Sequence, residues 1–87
     1  MNIKNDVLSI ISNQSGVQVG NISLSHELKK QPLTFDSFGL IYLAAALRAY
    51  VKQHTNEAET VKKSEISKSE FKVSDVIELI KTKIQSS

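Results

Sequence analysis

The segment from residue 38 to residue 51 constrains the fold of this chain most strongly, because it is long, continuous and almost entirely apolar. It reads FGLIYLAAALRAYV, with three consecutive alanines and with leucines every three or four residues. Alanine and leucine are among the strongest helix formers, so the sequence predicts a helix over residues 37–52.

On a helical wheel this predicted helix has two apolar stripes on opposite sides. The first, the Leu40 stripe, consists of Leu40, Leu43, Ala44, Leu47 and Val51. The second, the Phe38 stripe, consists of Phe38, Ile41, Tyr42, Ala45 and Ala49. Only one stripe can face the core of so small a domain, and we expect it to be the Leu40 stripe. The Phe38 stripe is then a contact surface for partners, or it is covered by the loop of residues 17–36 or by a second copy of the chain.

Two further segments repeat apolar residues at helical spacing. The first predicts a helix near residues 3–15 that ends at Gly16, and the last predicts a helix over 74–84 that is capped by Ser74. A long loop, residues 17–36, follows the first helix and has a possible helical turn from Ser25 to Lys30. The charged connector of residues 52–70 holds a short helix near 64–70. The expected core is Val7, Ile10, Ile11, Leu43, Leu47, Val51, Val76, Ile77 and Ile80.

Length and composition bound the class of protein. Eighty-seven residues support one domain, residues 1–87, and the absence of cysteine excludes disulfides, zinc–thiolate sites and a cysteine nucleophile. The start of the chain has no apolar signal-peptide region and no apolar run is long enough for a membrane span, so we expect a cytoplasmic protein. We also expect it to be a monomer. The net charge of +2 comes from scattered lysines, which argues against nucleic-acid binding.

Asp36 and Ser37 stand directly before the apolar segment. The plain interpretation is a helix cap, because both side chains accept hydrogen bonds from the amides left unpaired at a helix start. The order of a long loop, Asp36-Ser37-Phe38, an apolar helix, a variable connector and a last helix resembles the acyl carrier protein family over nearly the whole chain. In that family the motif Asp-Ser-Leu marks the serine that receives 4′-phosphopantetheine. Residues 71–80 also resemble the last helix of the family and the segment that leads into it.

The resemblance implies an all-α, acyl-carrier-protein-like four-helix bundle with three main helices and one short one. It implies a non-catalytic carrier in fatty acid, lipid or polyketide-type biosynthesis, with the arm attached to Ser37 by a phosphopantetheinyl transferase from coenzyme A. Acyl-loading ligases or transferases and condensing or acyltransferase enzymes are the implied partners, with the Phe38 stripe as their contact surface. The transferase supplies the catalysis, so no His or Lys base is required beside Ser37, and none is expected there.

The chain departs from the family in charge. Typical members are strongly acidic along the second helix, whereas residues 38–53 contain no carboxylate, and Gly39, Tyr42 and Arg48 stand where acids are expected. The connector of residues 52–70 is also longer than usual, which can displace the third helix. These departures indicate a specialised, non-acidic carrier with more apolar recognition of its partners.

Two alternatives remain open from the sequence. One is a helical protein- or DNA-interaction module without a prosthetic group, although the chain has a single arginine, Arg48, to form a recognition face. The other is a degenerate carrier fold that works without the arm. His26 and His54 have no partners at metal-ligand spacing, so no metal site is expected. A triad of Ser37, His26 and Asp36 is excluded because adjacent residues at a helix start project in different directions.

Overall fold

A computed structural model describes residues 2–55 and 61–85. Over these ranges the chain is all-helical, with α1 at Ile3–Ser15, α2 at Ser37–His54, α3 at Lys63–Ile66 and α4 at Val73–Gln85. A short 3-10 helix lies at Val19–Asn21. The predicted order of three main helices and one short helix is confirmed. No helix in the described part of the chain is long and apolar enough to cross a membrane.

Helix α1 begins and ends where the sequence predicts. The Asn2 side chain accepts a hydrogen bond from the Asn5 backbone N–H at 3.0 Å and caps the start. Gly16 follows the last turn in the left-handed region, with φ of 77°, and its N–H donates to the Ser12 carbonyl. A residue without a Cβ adopts this conformation at no steric cost, which is why the helix ends there.

The core lies between α1, α2 and α4, each of which contacts the other two. The Leu40 stripe of α2 is buried, as predicted, together with aliphatic residues of α1 and α4. The prediction that Ile10 belongs to the core is wrong, because Ile10 packs against the core and is only partly buried. The core also contains residues outside the predicted set, namely Leu8, Leu28, Leu33, Phe35, Leu40, Ala44, Tyr50, Val61, Ile66 and Val73.

The loop of residues 17–36 is pinned to the core by Leu28, Leu33 and Phe35, which are all buried. The helical turn predicted from Ser25 to Lys30 is wrong. The backbone here pairs with the lead-in to α4 instead: the Leu28 N–H donates to the Phe71 carbonyl and the Val73 N–H donates to the His26 carbonyl, both at 2.9 Å. Glu27 forms an isolated antiparallel bridge with Lys72, and the residues on either side of Glu27 form turns and no helix.

Helix α4 begins at Val73, so Ser74 lies inside the first turn and the predicted cap is wrong. The carboxylate of Asp75 accepts a hydrogen bond from the Lys72 backbone N–H at 2.9 Å. The Ser74 backbone N–H is satisfied by the Leu24 carbonyl at 3.0 Å. The loop therefore supplies the acceptor for one of the amides that have no partner within the helix at its start.

Helix α3 is shorter than predicted and starts one residue earlier. Val61 and Ile66 are fully buried and attach this segment to the core. Arg48 of α2 donates to the Val61 carbonyl through Nε at 3.3 Å and through a terminal nitrogen at 3.1 Å. These contacts hold α3 against α2, with which it packs. The connector prediction for residues 56–60 falls outside the described residues.

Glu65 fixes α3 from the other side. Its carboxylate accepts a hydrogen bond from the Lys62 backbone N–H at 2.9 Å and forms an ion pair with Lys83 of α4 at 3.0 Å. Burial alone would raise the pKa of Glu65, but the Lys62 N–H and the Lys83 ammonium outweigh it and lower the pKa. The carboxylate is therefore held in its charged form, and α3 is tied to α4 as well as to α2.

Candidate functional site

The start of α2 presents Ser37 to solvent. Asp36 is the N-cap, with extended backbone, and its Oδ1 accepts a hydrogen bond from the Gly39 N–H at 2.7 Å. Ser37 is the first residue of the helix, and both Asp36 and Ser37 are exposed. The capping role that the sequence predicts for Asp36 is confirmed. It leaves the Ser37 hydroxyl available for other contacts.

Gly39 allows this cap to close tightly. A Cβ at this position would lie 3.1 Å from Cδ1 of Phe35 and 3.2 Å from Oδ1 of Asp36. Both distances are shorter than ordinary van der Waals contact, so any other residue would push apart the buried Phe35 ring or the capping carboxylate. Packing at the cap thus accounts for the glycine at this position. Arg48, further along the same helix, donates to the Val61 carbonyl.

Lys63 reaches Ser37 from α3. Its Nζ donates a hydrogen bond to the Ser37 Oγ at 2.7 Å, and Lys63 is partly buried. The expectation that no lysine lies beside Ser37 is therefore wrong. The two residues are 26 positions apart in sequence. No local pattern could have predicted their contact, which depends on the fixed position of α3.

A cavity of about 390 Å³ opens beside this serine, between the loop, the start of α2 and α3. Phe35 and Leu40 supply its apolar wall, while Lys29 and Lys63 bring two ammonium groups to it. Lys29 also donates from Nζ to the backbone carbonyl of Ser67, which ends α3. The lining of the cavity therefore combines the Ser37 hydroxyl, two lysines, the Asp36 carboxylate and an apolar wall.

The Phe38 stripe lies on the outer face of α2 and is exposed along its length. Phe38 is 72% exposed, Tyr42 64% and Ile41 46%, and both Ala45 and Ala49 are also exposed. The loop of residues 17–36 does not cover them, so that possibility from the sequence is excluded. Large apolar side chains that lie together in solvent mark a contact surface more often than single exposed residues do.

The other polar residues considered from the sequence have structural partners. His26 accepts a hydrogen bond from the Ser23 backbone N–H through Nδ1 at 2.9 Å. The His54 ring packs edge-on against Tyr50, with ring centroids 4.5 Å apart. Within residues 2–55 and 61–85, no group of three or more His, Cys, Asp or Glu side chains is placed to hold a metal ion.

Comparisons with protein-family models, with curated proteins and with solved structures found no match for this chain. Support for a function therefore comes from the residues around Ser37 and from the exposed face of α2.

Proposed function

We propose that this chain is a carrier protein of the acyl-carrier type, and that Ser37 is the attachment point for 4′-phosphopantetheine. The observation that carries the proposal is the Ser37 hydroxyl itself: it is exposed at the start of a capped helix, with the Lys63 ammonium on its oxygen. A hydroxyl in this position is accessible to a modifying enzyme. Positive charge beside it favours a phosphodiester.

The residues around Ser37 fit the prosthetic group. The start of α2 would favour the negative charge of the phosphate, and Phe35 and Leu40 give the adjoining space an apolar wall. Bound through a phosphodiester, 4′-phosphopantetheine supplies the thiol that this cysteine-free chain lacks and carries acyl groups as thioesters. The chain is non-catalytic in this proposal, because the transferase that uses coenzyme A performs the attachment.

The Phe38 stripe is the proposed docking surface for partner enzymes. It begins at the residue after Ser37, so an enzyme bound to it would have its active site near the arm. These partners are the phosphopantetheinyl transferase, the enzyme that loads the acyl group and the condensing or acyltransferase enzymes. Residues 38–53 contain no carboxylate, so we propose apolar recognition in a dedicated biosynthetic role within fatty acid, lipid or polyketide metabolism.

A protein-interaction module without a prosthetic group is the second candidate, and the exposed Phe38 stripe favours it. The DNA-binding version has less support, because the single arginine of the chain donates to the Val61 carbonyl within the fold. Proteins that read DNA direct arginines toward bases and phosphates. The two candidates differ in one measurable property, which is whether Ser37 becomes modified.

Intact-mass measurement after incubation with coenzyme A and a broad-specificity transferase tests the proposal. We expect the wild-type chain to gain the mass of one phosphopantetheine, and Ser37→Ala to gain none. Ser67→Ala is the matched control, because Ser67 lines the same cavity but contributes its backbone carbonyl, and it should be modified like the wild type. If the wild type stays unmodified while a control carrier is converted, the proposal is wrong and the interaction module is favoured.

A further inference from the structure

We propose that Lys63 and Lys29 form a cation pair that binds the phosphate of the group carried by Ser37. The inference rests on the proposed function, because it requires a phosphodiester at Ser37. It goes further by assigning two residues, neither part of the Asp36-Ser37 motif, to the binding of that phosphate. It also makes α3 a part of the site.

Lys63 is the better positioned of the two cations. Its Nζ lies 2.7 Å from the Ser37 Oγ, and the backbone that carries it is fixed by Glu65, which bonds to Lys62 and Lys83. The ammonium is therefore positioned by a helix with tertiary contacts. A lysine on a free surface loop would lose more side-chain and backbone entropy on binding an anion.

Modification of Ser37 changes what Lys63 can bind. The serine oxygen becomes an ester oxygen, which is a weaker acceptor, and the negative charge lies on the two non-bridging phosphate oxygens next to it. These oxygens lie two bonds away from the ester oxygen, so the ammonium can transfer its hydrogen bond to them while Lys63 stays on the same helix. Before modification only the ammonium is charged, whereas afterwards its acceptor carries a negative charge as well, so the electrostatic attraction across this contact increases.

Lys29 lies on another wall of the same cavity. It donates to the Ser67 carbonyl at the end of α3, and a lysine ammonium has three donors in all. It can therefore keep this bond while it donates to a phosphate oxygen. With both lysines engaged, the phosphate would connect the start of α2 to the loop and to both ends of α3.

The charges of the cavity match those of a phosphodiester. The formally charged residues in its lining are Lys29, Lys63 and Asp36, two positive and one negative, so their sum is +1. A phosphodiester carries one negative charge, which brings the whole site to neutrality. The Asp36 carboxylate has the same sign of charge as the phosphate. Its Oδ1 accepts a hydrogen bond from the Gly39 N–H, which offsets part of the repulsion between the carboxylate and the phosphate.

The test compares the melting temperatures of the unmodified chain and of the chain that carries phosphopantetheine, both at low ionic strength. Intact-mass measurement verifies the conversion from the first form to the second. We expect conversion to raise the melting temperature of the wild type by about 4 °C or more. The gain should fall by at least half in Lys63→Gln and by a smaller amount in Lys29→Gln. Lys62→Gln is the matched control. Lys62 is next to Lys63 in sequence but is not among the residues that line the cavity, so this variant should keep the full gain in melting temperature. Added salt at 1 M should reduce the wild-type gain.

The outcomes separate this inference from the proposed function. If the wild type is not converted, both are overturned. If it is converted and the gain in melting temperature is the same in Lys63→Gln, Lys29→Gln and Lys62→Gln, the cation pair is overturned and the carrier function stands.

A second experiment uses variants of Ser37 that the transferase does not modify. Ser37→Glu places a carboxylate beside Lys63, and Ser37→Gln is its uncharged match. We expect the Glu variant to melt at a higher temperature than the Gln variant when Lys63 is present, and the difference to disappear with Lys63→Gln. The same difference in both backgrounds would show that Lys63 does not bind an anion at this position.

Discussion

Asp36 shows how one side chain prepares the site. Its carboxylate caps α2 through the Gly39 N–H, so Asp36→Ala leaves that N–H without its partner and should lower the free energy of unfolding by about 1 kcal/mol. Asp36→Asn keeps an acceptor at the same place and should retain most of the stability. Urea denaturation of the three proteins checks this. Equal losses for Ala and Asn would mean that charge, and not capping, is what Asp36 contributes.

Tyr50 joins α1 to α2 at one point. Its hydroxyl donates to Oδ2 of Asp6 at 2.6 Å, and burial together with this bond raises the pKa of the phenol. Removing the hydroxyl in Tyr50→Phe should cost about 1 kcal/mol of unfolding free energy. Tyr42→Phe is the control, because Tyr42 is exposed, and it should change stability by less than about 0.5 kcal/mol. If chemical denaturation shows no difference between the two variants, the Asp6 bond adds nothing to stability.

At the scale of elements, α2 has a buried face and an exposed face, and we propose that the exposed face binds partners. Leu43 is fully buried, so Leu43→Ala should lower the unfolding free energy by about 2–5 kcal/mol. Its neighbour Tyr42 is 64% exposed, and Tyr42→Ala should leave stability nearly unchanged while it slows modification by the transferase. Denaturation curves and timed mass measurements give both values. Slow modification of Leu43→Ala, but not of Tyr42→Ala, would contradict the division of faces.

Helix α3 depends on the charge of Glu65. The folded-state pKa of Glu65 is below its ordinary value of 4.5, so its contribution to stability is present above that value. It is lost as the pH falls through the lowered pKa, because the unfolded chain binds the proton first. Unfolding free energies measured from pH 7 to pH 3 should therefore fall more for the wild type than for Glu65→Gln. Glu78→Gln, changed at an exposed position on α4, should follow the wild type. Parallel curves for all three proteins would show that Glu65 does not stabilise α3.

At the scale of the whole molecule, periodic segments could be predicted from the sequence and tertiary contacts could not. The apolar spacing and Gly16 predict the bounds of α1, and the helical wheel predicts the Leu40 stripe, which is buried in the core. The sequence predicts that Ser74 caps α4, but Ser74 lies inside the helix and its backbone N–H donates to the Leu24 carbonyl, a contact that no local pattern encodes. The same holds for the site. Asp36 and Ser37 are adjacent in sequence, whereas Lys63 comes to them only through the packing of α3.

The exposed Phe38 stripe leads to a prediction about the oligomeric state of the chain. If this stripe is kept for partner enzymes, the chain should be a monomer at micromolar concentration, because a dimer formed through the stripe would cover the docking surface. Sedimentation equilibrium measures this directly, with Phe38→Ala as the comparison. A dimer that dissociates in Phe38→Ala would indicate that the stripe joins two copies of the chain.

The most direct test of the central claim is to locate the modification within the chain. Trypsin releases residues 31–48 as one peptide, in which Thr34, Ser37 and Tyr42 are the only hydroxyl side chains. After incubation with coenzyme A and a transferase, fragmentation of this peptide should place one phosphopantetheine on Ser37. An unmodified peptide, or the added mass on Thr34 or Tyr42, would contradict the account.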